Sequence, residues 1–267
     1  MPSLAQLLDA HGSLLVLDAA SARVQVGWLS THEAAWSSSH DEAGKALFSG
    51  LDSLLKNAPA NRSIAAAGAF VFCEGPGSIL GIRTAATAIR TWRTLSDSPT
   101  GVISQLGQTT RANRRRAQHT LSGEPTSVPV PKKRACGPVY SYQSLALLAH
   151  GLGDPELTLI ADARRDHWHV QRLGQPLRQV PSSELADTKG PLAMPEGFRH
   201  WTTPPPNLAR VPYDLETLFA TERVRAADRA FALVADLFTP TSEPDAFLHN
   251  EATYKTWSPQ IHRAPST

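Results

Sequence analysis

Long apolar runs are missing from this chain. No stretch approaches the roughly 20 residues that a membrane-spanning helix needs, so no membrane contact is expected. The first twelve residues lack the basic start and apolar centre of a secretory leader. They read as a short amphipathic extension through Leu4, Leu7 and Leu8, or as sequence ahead of the start codon in use. Cysteine is scarce: Cys73 and Cys136 give neither a disulfide framework nor a zinc set. That usage fits a reducing compartment, and a cytoplasmic protein is the expectation. A net charge of +2 over 267 residues names no partner.

Reaction motifs are missing too. There is no phosphate-binding loop and no G-x-S-x-G elbow. The ten histidines include no pair three or four residues apart, the spacing that puts two imidazoles on one helical face. His167 and His169 share a strand face, but two histidines without a third ligand make a weak metal site. After Gly153 only Gly174, Gly190 and Gly197 remain, each isolated, so the second half has no glycine-rich turn to clasp a nucleotide. No catalytic residue, metal or cofactor is therefore expected.

What is present centres on Val71 to Arg83. An apolar strand runs into Gly75-Pro76-Gly77-Ser78, and a long helical pattern follows. Glycine permits positive φ, proline fixes its own φ, and Ser78 is placed to cap a helix from Ile79 to about Leu95. The turn is either a rigid corner or an anion site at a helix N-terminus. Leu14 to Asp18 is a continuous apolar run ending in an acid, a buried strand. Val24, Val26 and Trp28 alternate as a second strand, and Glu33 to Trp36 forms a third. Asp41 to Leu55 has helical spacing, and Ile64 to Phe72 is a further strand. Farther on, Ser141 is the expected cap of a helix, Leu157 to Arg165 a strand, and Gln171 to Val180 another. Phe198 to Thr202 is a weaker strand candidate. Asp214 to Phe238 reads as a long helix.

Strand, strand, strand, helix, strand, helix is the layout of a ribonuclease-H-like lobe. The expected class is α/β, with two such lobes and mixed sheets flanked by helices. Residues 1–104 would form the first lobe, and residues 139–267 the second. The final helix and tail are candidates to pack back on the first lobe. Between them, residues 105–138 hold seven cations and one acid, with prolines, serines and threonines. Such a segment buries little apolar surface and reads as a flexible insertion. Arg114, Arg115, Arg116, Lys132, Lys133 and Arg134 are its candidate nucleic-acid contacts through phosphate charge.

Two segments carry a specific resemblance. GPGSILGIR is similar to the GPGSFTGLR signature of the TsaB family. The run Asp162-Ala163-Arg164-Arg165 resembles that family's IDARRGEVY hairpin, although Asp166, His167, Trp168 and His169 replace its Gly-Glu-Val-Tyr. The Asp18 strand and the tail around Tyr254 fall in family order as well. Ile79 and Leu80 depart from the usual Phe and Thr.

The resemblance implies a glycoprotease-like member of the superfamily of actin, sugar kinases and heat-shock ATPases. It implies a non-catalytic subunit that binds and activates a TsaD-type partner for threonylcarbamoyladenosine modification of tRNA, with a TsaE-type ATPase in the full complex. TsaD resembles the same fold with a paired-histidine motif on a helix. Alone, such a subunit pairs with itself. The partner surface is then expected on the two first-lobe helices, at Leu47, Leu51, Arg83, Ala85, Ala86, Ile89 and Trp92. In the superfamily an aspartate at Asp18's position meets phosphate or metal; the plainer alternative is a turn acid satisfied by nearby amides. Asp18, Gly75, Gly77 and Ser78 thus form either a structural turn or an anion site. A diverged ATPase, and an RNA-binding module acting through the insertion, are the alternative functions.

Overall fold

The structure is a computed structural model that describes residues 2–56, 62–97, 136–185, 187–188, 190–227 and 237–247. Helix α1 (Leu4–His11) opens the chain, with Ser3 and Gln6 forming a reciprocal cap. A meander follows: β1 (Ser13–Asp18), β2 (Val24–Ser30) and β3 (Ala34–Ser39). Then come α2 (Ala43–Lys56), β4 (Ala69–Gly75), α3 (Ile79–Asp97), β5 (Val139–Gln143) and α4 (Ser144–Leu152).

The second half repeats that plan. Strands β6 (Thr158–Arg164), β7 (His167–Gln171) and β8 (Arg178–Pro181) form another meander. Helix α5 (Ser182–Leu185), β9 (Leu192–Pro195), β10 (Ala209–Val211) and α6 (Leu215–Ala227) follow, and β11 (Thr239–Thr241) closes the described chain.

The first sheet has the order β11-β5-β4-β1-β2-β3, the second β10-β9-β6-β7-β8. In both, the first three strands are antiparallel neighbours, and the fourth and fifth run parallel to the first. That is the ribonuclease-H-like order 3-2-1-4-5, present twice. The chain is a two-lobed α/β protein of actin-like design. The copies differ in their helices: α5 has four residues where α2 has fourteen. No helix lies between β9 and β10.

Strand periodicity explains the layers. Along β1, Leu14 and Val16 face one core, while Leu15 and Leu17 face the other; β4 divides in the same way at Val71 and Phe72. Strands buried on both faces read as unbroken apolar runs, which is why these two stand out in the sequence. The face bearing Leu15 carries α2 and α3. The opposite core runs through α1 and α4 to Trp168 and Met194 of the second sheet, so one apolar cluster joins the lobes. Helices α4 and α6 are further joined by a buried His150–Glu222 pair.

Several expectations change. Ser141 is no helix cap; it lies buried in β5, and α4 starts at Ser144 without a side-chain cap. The Val-Tyr-Ser-Tyr alternation has strand character, and pairing with β4 puts it in the first sheet, although residue 139 was the expected start of the second lobe. Ile64–Ala66 is a 3-10 turn capped by Ser63, so the fourth strand starts only at Ala69. Gln171 ends β7 rather than starting a strand, and Phe198 to Thr202 is a loop. Helix α6 is described to Ala227, and the rest of the expected helix up to residue 236 lies outside the described residues.

Candidate functional site

Asp18 ends β1 at the centre of the first sheet, and it is fully buried. One oxygen accepts the Ala20 amide at 2.8 Å; the other accepts the hydroxyls of Tyr142 at 2.5 Å and Tyr213 at 2.7 Å. Burial pushes its carboxyl up, against the opposing pull of the two tyrosine bonds, the Ala20 amide and the Cys73 thiol. The same burial, with Asp18 beside them, drives both tyrosines and the Cys73 thiol well above their ordinary values.

Tyr142 comes from β5 of the same sheet and Tyr213 from the segment ahead of α6, so Asp18 ties that later segment to the first sheet through Tyr213. The closure continues around it. Gln25 donates to the Tyr213 carbonyl at 3.2 Å and accepts the Leu215 amide at 2.9 Å. Arg23 pairs with Asp214 at 2.8 Å, and the Ala22 amide donates to the Gly197 carbonyl at 2.8 Å. The β1–β2 hairpin, where an actin-like enzyme would meet phosphate, is covered by the protein itself.

The Gly75–Ser78 turn packs on the same hairpin. The Ser78 amide donates to the Ala20 carbonyl at 2.7 Å, and the Ser78 hydroxyl caps α3 by accepting the Gly81 amide at 3.3 Å. A Cβ on Gly77 would stand 2.4 Å from the Ala20 oxygen, and one on Gly81 2.1 Å from the Ala19 oxygen. Backbone therefore lies directly on backbone. One hairpin carbonyl, that of Ala20, takes the Ser78 amide at the start of the helix. Ser144 and Phe247 fasten the turn from two further sides, by bonds to the Pro76 and Glu74 carbonyls at 2.6 and 2.7 Å. Asp18 and Gly75 are buried and Gly77 and Ser78 half-buried, each engaged by the contacts described.

The expected partner-contact residues need a larger correction. Leu47, Leu51, Ala85, Ala86, Ile89 and Trp92 are buried within the chain, between α2, α3 and the first sheet. Trp92 stacks on Phe70. The apolar face of α3 is wide because it meets a sheet and a neighbouring helix at once. Its exposed side carries Leu80, Arg83, Thr87, Arg90 and Thr91, with Thr84 partly exposed, and Phe48 of α2 stands 52% exposed beside Trp92. Thr84 and Thr91 donate their hydroxyls back to carbonyls four residues earlier.

The arginines of α3 serve elsewhere. Arg83 faces Asp245 at 3.5 Å, Arg90 donates to the Pro244 carbonyl at 3.0 Å, and Arg93 donates to the Ser242 carbonyl at 2.9 Å. They staple residues 242–245 across the helix.

The second-lobe hairpin contains what sequence reasoning missed. Asp162 is the counterpart of Asp18: it lies two residues before the end of β6, where Asp18 ends β1, and each accepts the amide two residues on. Its other oxygen accepts the amides of Trp201 and Thr202. Partial burial pushes its carboxyl up, but these bonds win and hold it below the ordinary value. Arg164, Arg165 and Asp166 then follow at φ of 64°, 51° and 60°. Positive φ is costly for side chains with a Cβ. The family pattern has glycine where Asp166 stands. Asp166→Gly is accordingly expected to raise stability by about 0.5–1 kcal/mol, read as a higher urea midpoint with unchanged slope.

His167 Nδ1 donates to the Arg165 carbonyl at 2.7 Å, and among the described residues no group of three metal-ligating side chains converges. Arg114, Arg115, Arg116, Lys132, Lys133, Arg134 and the tail at Tyr254 lie outside the described residues.

Fold and site together define a class: a duplicated ribonuclease-H-like α/β protein whose first-sheet aspartate is buried within its own chain. No protein-family profile and no curated protein matches the sequence. Among solved structures it is similar to YeaZ from Pseudomonas aeruginosa, at 18% identity and a TM-score of 0.49, over 81% of this chain and 92% of that one. It is also similar to an uncharacterized protein with similarity to peptidase YEAZ from Pseudomonas aeruginosa, at 18% identity and a TM-score of 0.45, over 82% and 93%. Among the described residues no helix is long and apolar enough to cross a membrane.

Proposed function

We propose that this chain is a TsaB-like scaffold subunit, without catalysis of its own, that binds and activates a TsaD-type subunit in threonylcarbamoyladenosine modification of tRNA. The observation that carries the reading is the state of Asp18. An actin-like body has kept the carboxylate at the end of its first strand, yet two tyrosines and a backbone amide consume it. Order of motifs supports the family: the Asp18 hairpin, the GPGS turn and the DARR hairpin follow one another along a duplicated fold. A TsaE-type ATPase would complete the assembly in the cytoplasm, and the isolated chain would pair with itself.

The partner surface in this proposal is the outer side of α2 and α3, at Phe48, Leu80, Thr84, Thr87 and Thr91. Arg83 and Arg90 flank it, and Arg90 donates to the Thr87 hydroxyl at 3.0 Å as well as to the Pro244 carbonyl. The test is co-expression with the TsaD-type protein of the same organism. Co-purification is expected, and tRNA modification should fall when this chain is left out. Phe48→Arg should weaken the pair at least tenfold and leave the melting temperature within about 2 °C of the parent. Ala85→Arg or Ala88→Arg is unsuitable, because both sites are buried and the fold would fail first. A chain that never co-purifies, or a Phe48→Arg variant that binds as tightly as the parent, would sink the assignment.

A further inference from the structure

The two lobes treat their matching aspartates differently. Asp18 is sealed, whereas Asp162 stands beside an open cleft of about 600 Å³ lined by Arg164, Arg165, Asp166, Trp201, Thr202 and Thr203. The cleft lies past the carboxyl ends of β6 and β9, parallel neighbours whose connections leave in different directions: β6 into a hairpin, β9 into the 196–208 loop. Such switch points are where open α/β sheets accept ligands.

Three features give this cleft a chemistry. Trp201 is 67% exposed, yet its backbone is fixed, because Asp162 accepts its amide and that of Thr202. The Arg164 guanidinium lies 4.8 Å over the indole, and Arg165 is exposed on the same turn. The turn itself holds three successive non-glycine residues at positive φ, a strained conformation that functional sites retain. A flat aromatic held rigidly at the surface beside arginines suits a ligand with a planar ring and a negative group.

We propose that this cleft binds a nucleotide unit of single-stranded RNA, with a base stacked at Trp201 and Arg164 and the adjoining phosphate held by Arg165. Stacking on an aromatic face tolerates any base but requires one that is unpaired. Guanidinium groups fork onto phosphate oxygens. The Thr203 hydroxyl and the Asp166 carboxylate offer a donor and an acceptor for a ribose 2′-hydroxyl, the group that sets RNA apart from DNA. An acidic peptide would use the arginines but waste the indole, and would meet Asp166. The site stands apart from the α2–α3 surface, and its test needs no second subunit.

The purified full chain is titrated with a fluorescein-labelled, unstructured RNA of roughly 12 nucleotides, by anisotropy and by tryptophan quenching. Trp201→Ala should weaken binding about tenfold and remove most of the quenching, and Trp201→Phe should recover most of the affinity. Arg165→Gln should lower the salt slope by about 1; it provides a second reading should the alanine variant fold poorly. The same RNA as a duplex, uridine monophosphate alone and polyglutamate should compete poorly. The proposal is overturned if the parent chain does not bind the RNA, or if Trp201→Ala and Arg165→Gln both bind it like the parent. It is overturned equally if duplex or polyglutamate competes as well as single strands. Uridine monophosphate binding as tightly as the RNA would replace the polymer with a free nucleotide and also overturn it.

Discussion

Alanine in place of Gly81 is expected to cost about 3 kcal/mol or more and to lower the melting temperature by roughly 10 °C. The added Cβ would stand 2.1 Å from the Ala19 carbonyl oxygen. Neither side can give way cheaply: both are backbone, one in the first turn of α3 and the other just past β1. The Ser78 amide bond to Ala20 anchors the same contact at 2.7 Å. Gly77→Ala adds a φ of 153° to a 2.4 Å clash with the Ala20 oxygen and should behave alike. Gly44 is the control. It lies in α2 with only the Glu42 carboxylate nearby, at 3.6 Å. Alanine there should be neutral or slightly stabilising, since glycine is a poor helix former. Thermal denaturation followed by circular dichroism separates the three. A Gly81→Ala chain that melts with the parent would mean that the turn and hairpin are not in backbone contact.

Asp18→Ala is expected to cost about 3 kcal/mol, because it strands two buried tyrosine hydroxyls and a buried amide. Asp18→Asn isolates the charge. Burial raises the Asp18 carboxyl above 3.8, so between that value and its folded one the native state holds more protons than the unfolded chain. Stability from this group is therefore complete below 3.8 and lost as pH rises through the folded value. The amide of the Asp18→Asn variant does not titrate. The stability difference of Asp18→Asn from the parent should thus shift in the variant's favour as the pH rises above 3.8. Asp162 and Asp214 have the opposite sign. Burial raises each, but their hydrogen bonds hold both below 3.8, and what they contribute disappears only in stronger acid. Urea midpoints across that range give the result; a constant difference would place Asp18 outside the buried clasp.

Local signals carry much of the fold. Leu14 to Asp18 and Phe70 to Cys73 are unbroken apolar runs because both faces of each strand meet a core, and Ser78 caps the helix that its position implies. Failures arise where a residue's role depends on a distant partner. Ser141 has the chemistry of a cap, but its place beside Phe72 in the sheet outranks it. Ala85, Ile89 and Trp92 give α3 more apolar width than one stripe requires. Sequence alone does not tell whether a partner or α2 covers the excess. The Asp18 clasp joins residues 124 and 195 positions apart, and no spacing rule spans such distances. Trp201 leaves one faint trace, an aromatic between His200 and two threonines, and a strand reading of that segment hides it.

The first sheet collects its strands from widely separated parts of the chain. Four come from residues 13–75, the fifth from Val139–Gln143 and the sixth from Thr239–Thr241. During synthesis the open edge of β4 must therefore wait through more than sixty residues before β5 emerges, and β5 itself waits for nearly a hundred more. An unpaired apolar edge is a template for pairing with other chains. The distance adds little to the equilibrium cost of closure, which grows only with the logarithm of loop length. It prolongs the interval in which a half-made sheet is exposed on the ribosome, so the hazard for this architecture lies in the order of its birth rather than in its final stability.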